Sequence, residues 1–431
     1  MNTIFWFRRD LRLYDNVGLH SALKENEGVI PLFIFDKQIL DELPKDDRRV
    51  SFIYYRLKEI KEKLNKTGSD LIVRYGEPEK VFSDIIDEFG ISSVYTNNDY
   101  EPYAIDRDKR IKEFLEENEI EFKSYKDQVI FEKDEIVKDD GEPYLVYTPY
   151  SKQWKKNIDK ESFNNHSVNK FKDSFAKIDE IEELIELSNM GFEKVDYKLY
   201  PEEVESELIE NYEDTRNYPA KNGTSNMSLH LRFGTVSVRE LASKAKKHNE
   251  KYLNELIWRE FFMTILYHYP ETIDNNFRAK YDSLEWRNNE EEFDKWCKGE
   301  TGFPLVDAGM RELNESGYMH NRVRMVVANF LTKLLLIDWR WGEQYFAKKL
   351  MDYEMSSNVG NWQWAAGTGV DAAPYFRIFR PELQVEKYDK DLKYIKKWIP
   401  DYEENYIEPI IDYKSARQRA LDAFKKVTED K

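Results

Sequence analysis

Over its first ~130 residues the chain alternates short apolar runs with amphipathic helical stretches; beyond about residue 205 the pattern is helical almost to the last residue. The apolar runs Thr3–Phe7, Val29–Phe35, Leu71–Tyr75, Ser93–Thr96 and Glu121–Tyr125 are rich in β-formers, and helical patterns near Ser51–Leu64, Pro78–Phe89 and Tyr103–Glu117 lie between them. Such alternation predicts a mostly parallel sheet with helices on both faces, because parallel neighbours need a crossover between them. The expected architecture is therefore an α/β N-terminal domain with a Rossmann-like parallel sheet, followed by an all-α C-terminal domain. The turn after the first run reads Arg8-Arg9-Asp10-Leu11-Arg12, with no glycine-rich phosphate loop, so this layer does not bind NAD in the usual way.

Between the two halves the sequence is irregular, charged and Asn/Ser-rich, and Pro143 and Pro149 are expected to break any helix there. The expected boundaries are residues 1–130, a connector over 131–204, and a helical domain over 205–431. In the helical half, Phe303, Val306, Met310 and Leu313 follow helical spacing, and Gly317 is a good terminator. Val323–Leu336 reads as a buried apolar helix.

The 431 residues carry a net charge of -17, which at first speaks against nucleic acid as a partner. The charge is unevenly placed, however. Residues 161–220 hold 16 acidic against 6 basic side chains, whereas residues 301–350 hold 7 basic against 5 acidic ones. A basic patch therefore remains possible away from the acidic segment. One cysteine, Cys297, excludes an internal disulfide framework, and the six histidines show no metal-ligand spacing. No apolar run approaches the ~20 residues of a membrane span, and the start MNTIFWFRRD lacks the features of a signal peptide. The expectation is a cytoplasmic, metal-free monomer.

Eight of the ten tryptophans lie beyond residue 250. Asn358 and Trp362 are four apart and share a helix face, while Trp364 points elsewhere. Tryptophan is oxidisable, flat and a good stacking partner, which suits electron transfer and base binding. The turn Gly223-Thr224-Ser225-Asn226-Met227-Ser228 is either a phosphate cradle or an ordinary helix cap. Glu255, Trp258, Arg259 and Phe262 fall within about two helical turns; a core helix with exposed charges fits them equally well. His320 reads as a local hydrogen-bonder, and Asp352 and Glu354 offer carboxylates for Arg324 or for sugar hydroxyls.

Taken together, Ile4–Asn16, Gly223–Ser228, Glu255–Phe262, Trp296–Pro304, Met319–Met325, Asn361–Ala366 and Asp371–Phe379 resemble the DNA photolyase/cryptochrome family, in order and over nearly the whole chain. Within it, Met319-His-Asn-Arg-Val-Arg-Met325 is most similar to the class I enzymes acting on cyclobutane pyrimidine dimers. The resemblance implies light-dependent repair by electron transfer from photoexcited reduced FAD to a flipped-out dimer in UV-damaged DNA. Its rival is a cryptochrome-type photoreceptor without repair, disfavoured by the lack of a long tail after the Trp398 region.

By resemblance, FAD is held by Tyr212, Thr224, Ser225, Asn226, Met227, Ser228, Tyr252, Glu255, Trp258, Arg259, Phe262, Arg324, Asp352, Tyr353, Glu354 and Asn358. Lesion contacts carry over to Arg216, Glu255, Trp258, Asn321, Arg322, Met325, Trp364 and Gln384. Glu255 and Asn358 carry catalytic roles, and Trp362, Trp339 and Trp286 match the family's relay for photoreduction. An antenna chromophore is expected in the N-terminal domain, methenyltetrahydrofolate or a deazaflavin, with Asn98 and Glu101 near a folate contact; another flavin or an empty pocket stays open. Departures from the family pattern are Asn226 and Met227 for Arg-Leu, Tyr318 for Trp, Tyr353 for a small residue, Glu354 for Asp, Asn361 for Gly and Arg380 for Asn.

Overall fold

The computed structural model describes residues 2–403 and 406–429. Five strands, β1 (Asn2–Phe7), β2 (Val29–Asp36), β3 (Ile72–Gly76), β4 (Ile91–Asn97) and β5 (Glu121–Tyr125), form one sheet of order β3-β2-β1-β4-β5. Every pairing is parallel, with Ile4 opposite both Ile30 and Val94. The central strand β1 and its neighbours β2 and β4 are buried almost throughout, because helices cover both faces of a parallel sheet. All five strands coincide with the apolar runs of the sequence to within two residues at either end. The helix Val17–Glu25, capped by the Asn16 side chain, was not legible from periodicity.

The arginine-rich turn after β1 has a structural use. Arg12 is 2 % exposed and donates to Asp127 at 2.7 Å, while Arg239 donates to Asp127 at 2.9 Å and to Asp15. The Asp127 carboxylate therefore lies between two guanidinium groups, and Asp15 is held by Arg239 and the Ser237 hydroxyl, the pairing a buried charge requires.

Tertiary contacts divide the chain into two units: residues 2–132, 157–202 and 227–247 form one, and residues 133–156, 203–226 and 248–429 the other. The chain thus passes between units several times. One expectation fails within the supposed connector: Tyr147–Asn157 is a helix despite Pro149. Pro149 is its third residue, and in a first turn the missing N–H has no carbonyl to bond, so the ring is tolerated.

In the second unit the core gathers Val306, Met310, Leu313, Val323, Val327, Leu331, Trp339 and Trp362. Gly317 ends the helix Pro304–Ser316 in the left-handed conformation, as expected. The apolar stretch read as a single helix over Val323–Leu336 instead comprises a helix Asn321–Asn329, a π-helical turn Phe330–Leu334, and a left-handed Leu336. The π turn turns Lys333 inward, where it is 1 % exposed and donates to the Ala366 carbonyl.

Candidate functional site

Two helices carry eight of the expected site residues. The helix Glu250–His268 starts at Asn249, whose side chain accepts from Lys251 and Tyr252 N–H, and it bears Glu255, Trp258, Arg259 and Phe262. The helix Met355–Ala366 bears Asn358, Trp362 and Trp364. They touch where Gly360 faces Phe262: a Cβ on Gly360 would stand 2.2 Å from the Phe262 ring. Only glycine allows that approach.

Beside them lies a cleft with ≈ 110 Å³ of cavity, lined among others by Asn321, Arg324, Met325, Asp352, Tyr353, Glu354, Asn358, Trp362 and Trp364. Nine expected site residues thus line one cleft. Arg324 donates to both Asp352 oxygens, at 2.8 and 3.1 Å, and Arg259 donates to Glu354 at 2.9 Å. Burial works against the charge on Arg324, but Asp352, with Tyr318 and Glu312, outweighs it, so the Arg324 pKa is raised. Glu354 also accepts from the Ser357 hydroxyl at 2.9 Å, so this departure from the family's Asp is fully used.

Asn358 is fixed by a residue the sequence reading missed. Its Nδ2 donates to the Glu343 carboxylate at 2.9 Å and to the Glu343 carbonyl at 3.1 Å. Burial raises the Glu343 pKa, against the hydrogen bonds from Asn358 and Tyr353. With Nδ2 engaged, the amide oxygen is the end of Asn358 left to accept a hydrogen bond. No sequence signal marked Glu343, because its importance lies in an interhelical contact.

On the first turn of the site, Tyr212 meets Tyr252 edge-on at 5.0 Å, and Tyr252 donates to the Ser225 hydroxyl at 2.7 Å. Asn226 has φ +55, a conformation Asn adopts more readily than Arg, which gives a physical reason for that departure. Met227 and Ser228 belong to the first unit, where Ser228 opens the helix Ser228–Phe233. Thr224, Ser225 and Asn226 belong to the second. Arg216 is ion-paired with Glu255. Arg322 donates to Asn217 at 2.7 Å and lies 4.5 Å from the Tyr388 ring. Gln384 lies outside the cleft, in a groove with Arg380, Lys414 and Arg417.

Trp362 is buried edge-on to Phe346 at 5.0 Å and to Trp296 at 6.1 Å. Trp339 is buried and donates to Asn276 at 2.9 Å. Trp286, half-buried, packs against Phe424 at 6.2 Å. All three belong to or border one core cluster. Asn361 bonds back to the Ser357 carbonyl at 2.7 Å, so its amide is satisfied on its own helix. His320 caps the helix Asn321–Asn329 by accepting from Arg322 N–H, as expected; burial lowers its pKa to about 4, with Arg324 and Arg322 adding to the shift.

In the first unit, Asn98 donates to Glu132 at 2.8 Å, and Glu101 accepts from Arg9 and Arg232 at 2.9 and 3.1 Å.

The profile of the FAD binding domain of DNA photolyase matches residues 252–404, and that of DNA photolyase matches residues 3–168. The chain belongs to the DNA photolyase family. It is 34% identical to the deoxyribodipyrimidine photo-lyase of Agrobacterium fabrum, over 98% of this chain and 97% of that one. It is 35% identical to the enzyme of the same name from Synechococcus, over 92% and 87% respectively. An archaeal photolyase structure from Sulfolobus tokodaii, with two FAD molecules, superposes with a TM-score of 0.86 at 36% identity, over 99% of this chain and 100% of that one. A bacterial class III photolyase from Agrobacterium tumefaciens gives 0.87 at 32%, over 99% and 98%. A Synechocystis cryptochrome, at 24% identity and a TM-score of 0.84 over 98% and 99%, shares the fold.

Among the described residues no helix is long and apolar enough to cross a membrane.

Proposed function

We propose that this photolyase-family chain is a deoxyribodipyrimidine photo-lyase: it splits cyclobutane pyrimidine dimers in UV-damaged DNA under light, as a cytoplasmic monomer. The observation that carries the reading is the single cleft that brings Asn358, Trp362 and Trp364 together with Asn321, Met325 and the Arg324–Asp352 pair. These residues fit FAD: an amide with its oxygen free to accept, two carboxylates held by arginines for sugar hydroxyls, and indoles at the cleft wall. When bound there, reduced FAD would supply light-driven one-electron donation for opening the dimer.

The remaining work falls to side chains of this chain. Asn358 presents a neutral amide, which adds no like charge beside an anionic ring system. Trp258 and Trp364 provide flat walls for unstacked bases, each stack worth roughly 1–3 kcal/mol. Glu255, held beside Arg216, offers carboxylate oxygens to the N–H edges of the two pyrimidines. Arg216 and Arg322 neutralise flanking phosphates without reading sequence. Trp362, Trp339 and Trp286 form an indole path from the cleft towards solvent for reducing an oxidised cofactor. The first unit is the antenna layer, its chromophore a folate, a deazaflavin or a second flavin.

The test is illumination of the FAD-loaded protein with an oligonucleotide carrying one thymine dimer. Repair is read as light-dependent loss of the dimer from the oligonucleotide. Equal repair in darkness ends the reading, and light-driven cofactor bleaching with no dimer loss replaces it with a photoreceptor.

A further inference from the structure

The helix Tyr147–Asn157 comes from a stretch that looked like a connector, yet it is bound tightly to the helix that carries Trp258. Trp154 donates to Glu260 at 2.5 Å, and Tyr150 packs on Phe261 at 5.2 Å. At its N-terminal end, Tyr147 lies flat on Trp258, ring centroids 3.7 Å apart and planes 4° from parallel. So short a separation leaves no space for anything between the rings, so Tyr147 closes one face of the indole.

Tyr147 is itself held at both ends. Its hydroxyl donates to the Asn254 carbonyl at 2.9 Å, and its backbone N–H donates to Asp371 at 3.1 Å. Phe261 stands edge-on to Trp258 at 5.6 Å, and Phe262 lies tilted at the same distance. Three rings therefore brace the indole, and a base can stack only on the face opposite Tyr147.

We infer that Tyr147 is a positioning residue for lesion binding: it backs Trp258, fixing the indole plane before a pyrimidine dimer arrives. The inference rests on the repair reading above. A braced ring loses little freedom when a base stacks on it, so the gain appears in affinity for the lesion. The chemistry after binding does not touch Tyr147, so the yield per absorbed photon in the bound complex stays unchanged.

The experiment compares FAD-loaded wild type with Tyr147→Ala, Tyr147→Leu and Tyr147→Phe, on the same oligonucleotide with and without a dimer. Ala and Leu are expected to weaken dimer binding by about three- to tenfold, the scale of one aromatic pair. Affinity for undamaged DNA and repair yield at saturation should hold, and Phe should restore binding to within about twofold, because it keeps the flat ring. Leu keeps volume if the Ala variant fails to fold. Wild-type dimer affinity in both Ala and Leu variants overturns the inference. Tighter dimer binding in either also overturns it, since Tyr147 would then be blocking the lesion's face. A wild type that neither binds nor repairs the dimer instead removes the repair reading beneath it.

Discussion

Gly342 lies one turn into the helix Trp339–Lys349, directly against Trp362. A Cβ there would stand 2.2 Å from Trp362 Cη2, 2.4 Å from Cζ3 and 2.7 Å from Leu331 Cδ2. Ordinary contact needs more than a further ångström from the indole. Trp362 has nowhere to retreat: it is 2 % exposed, with Phe346 and Trp296 against it. Overpacking of this kind costs about 1–3 kcal/mol, and two rigid neighbours put it near the upper end. Replacing a mid-helix glycine by alanine returns about 1 kcal/mol. Gly342→Ala should therefore lower the stability of the helical unit by about 2 kcal/mol, read as a fall in denaturant midpoint at constant slope. Displacing the indole should also slow photoreduction of bound FAD. Trp362→Phe removes the two clashing indole carbons, so in the double variant the cost of Gly342→Ala should fall by more than half. If Gly342→Ala is as stable as wild type or more so, the helix propensity has won and the packing argued here is wrong.

Two predictions concern pH. The His320 pKa is lowered to about 4 in the folded chain, against an ordinary value near 6.5, chiefly by burial and then by Arg324 and Arg322. The unfolded state therefore takes up a proton first, and stability falls as pH drops from about 6.5 to about 4, by about 3 kcal/mol in all. His320→Asn keeps an N-cap acceptor and should flatten that part of the pH–stability curve; an unchanged slope would refute the burial argument. Burial alone depresses the Lys333 pKa, with its Nζ 3.5 Å from the Phe424 ring centroid. Here too the unfolded state binds the extra proton, so stability should rise with pH from the depressed pKa up to about 10.5. Lys333→Met should remove that rise, and denaturation at neutral and alkaline pH measures it.

Where secondary structure followed from a local pattern, the sequence reading located it. The alternating apolar runs marked the strands, and Gly317 marked a helix end because its backbone preference is local. The stretch before Asn157 misled, since Pro149 breaks a helix interior but not a first turn, and periodicity alone does not locate the first turn. The π turn at Phe330–Leu334 was also hidden, as one extra residue per turn leaves an apolar run looking helical. Among site residues, those on shared helices or in long motifs were legible: Trp258 with Phe262, Asn358 with Trp362, Arg324 with Met325. Glu343, Tyr147 and Trp296 were not: Glu343 meets Asn358 across a turn between two successive helices, and Tyr147 and Trp296 meet their partners across helices far apart in sequence. Gln384, named among the lesion contacts by motif position, lines a groove with Arg380, Lys414 and Arg417.

The order of residues alone determined the parallel sheet, the helical second half and the membership of this family, because hydrophobic period and motif order are written along the chain. Tertiary structure alone decided which end of the Asn358 amide stays free, that Tyr147 covers one face of Trp258, and why Gly342 and Gly360 carry no side chain. Those are matters of distance between helices, and sequence separation does not measure distance.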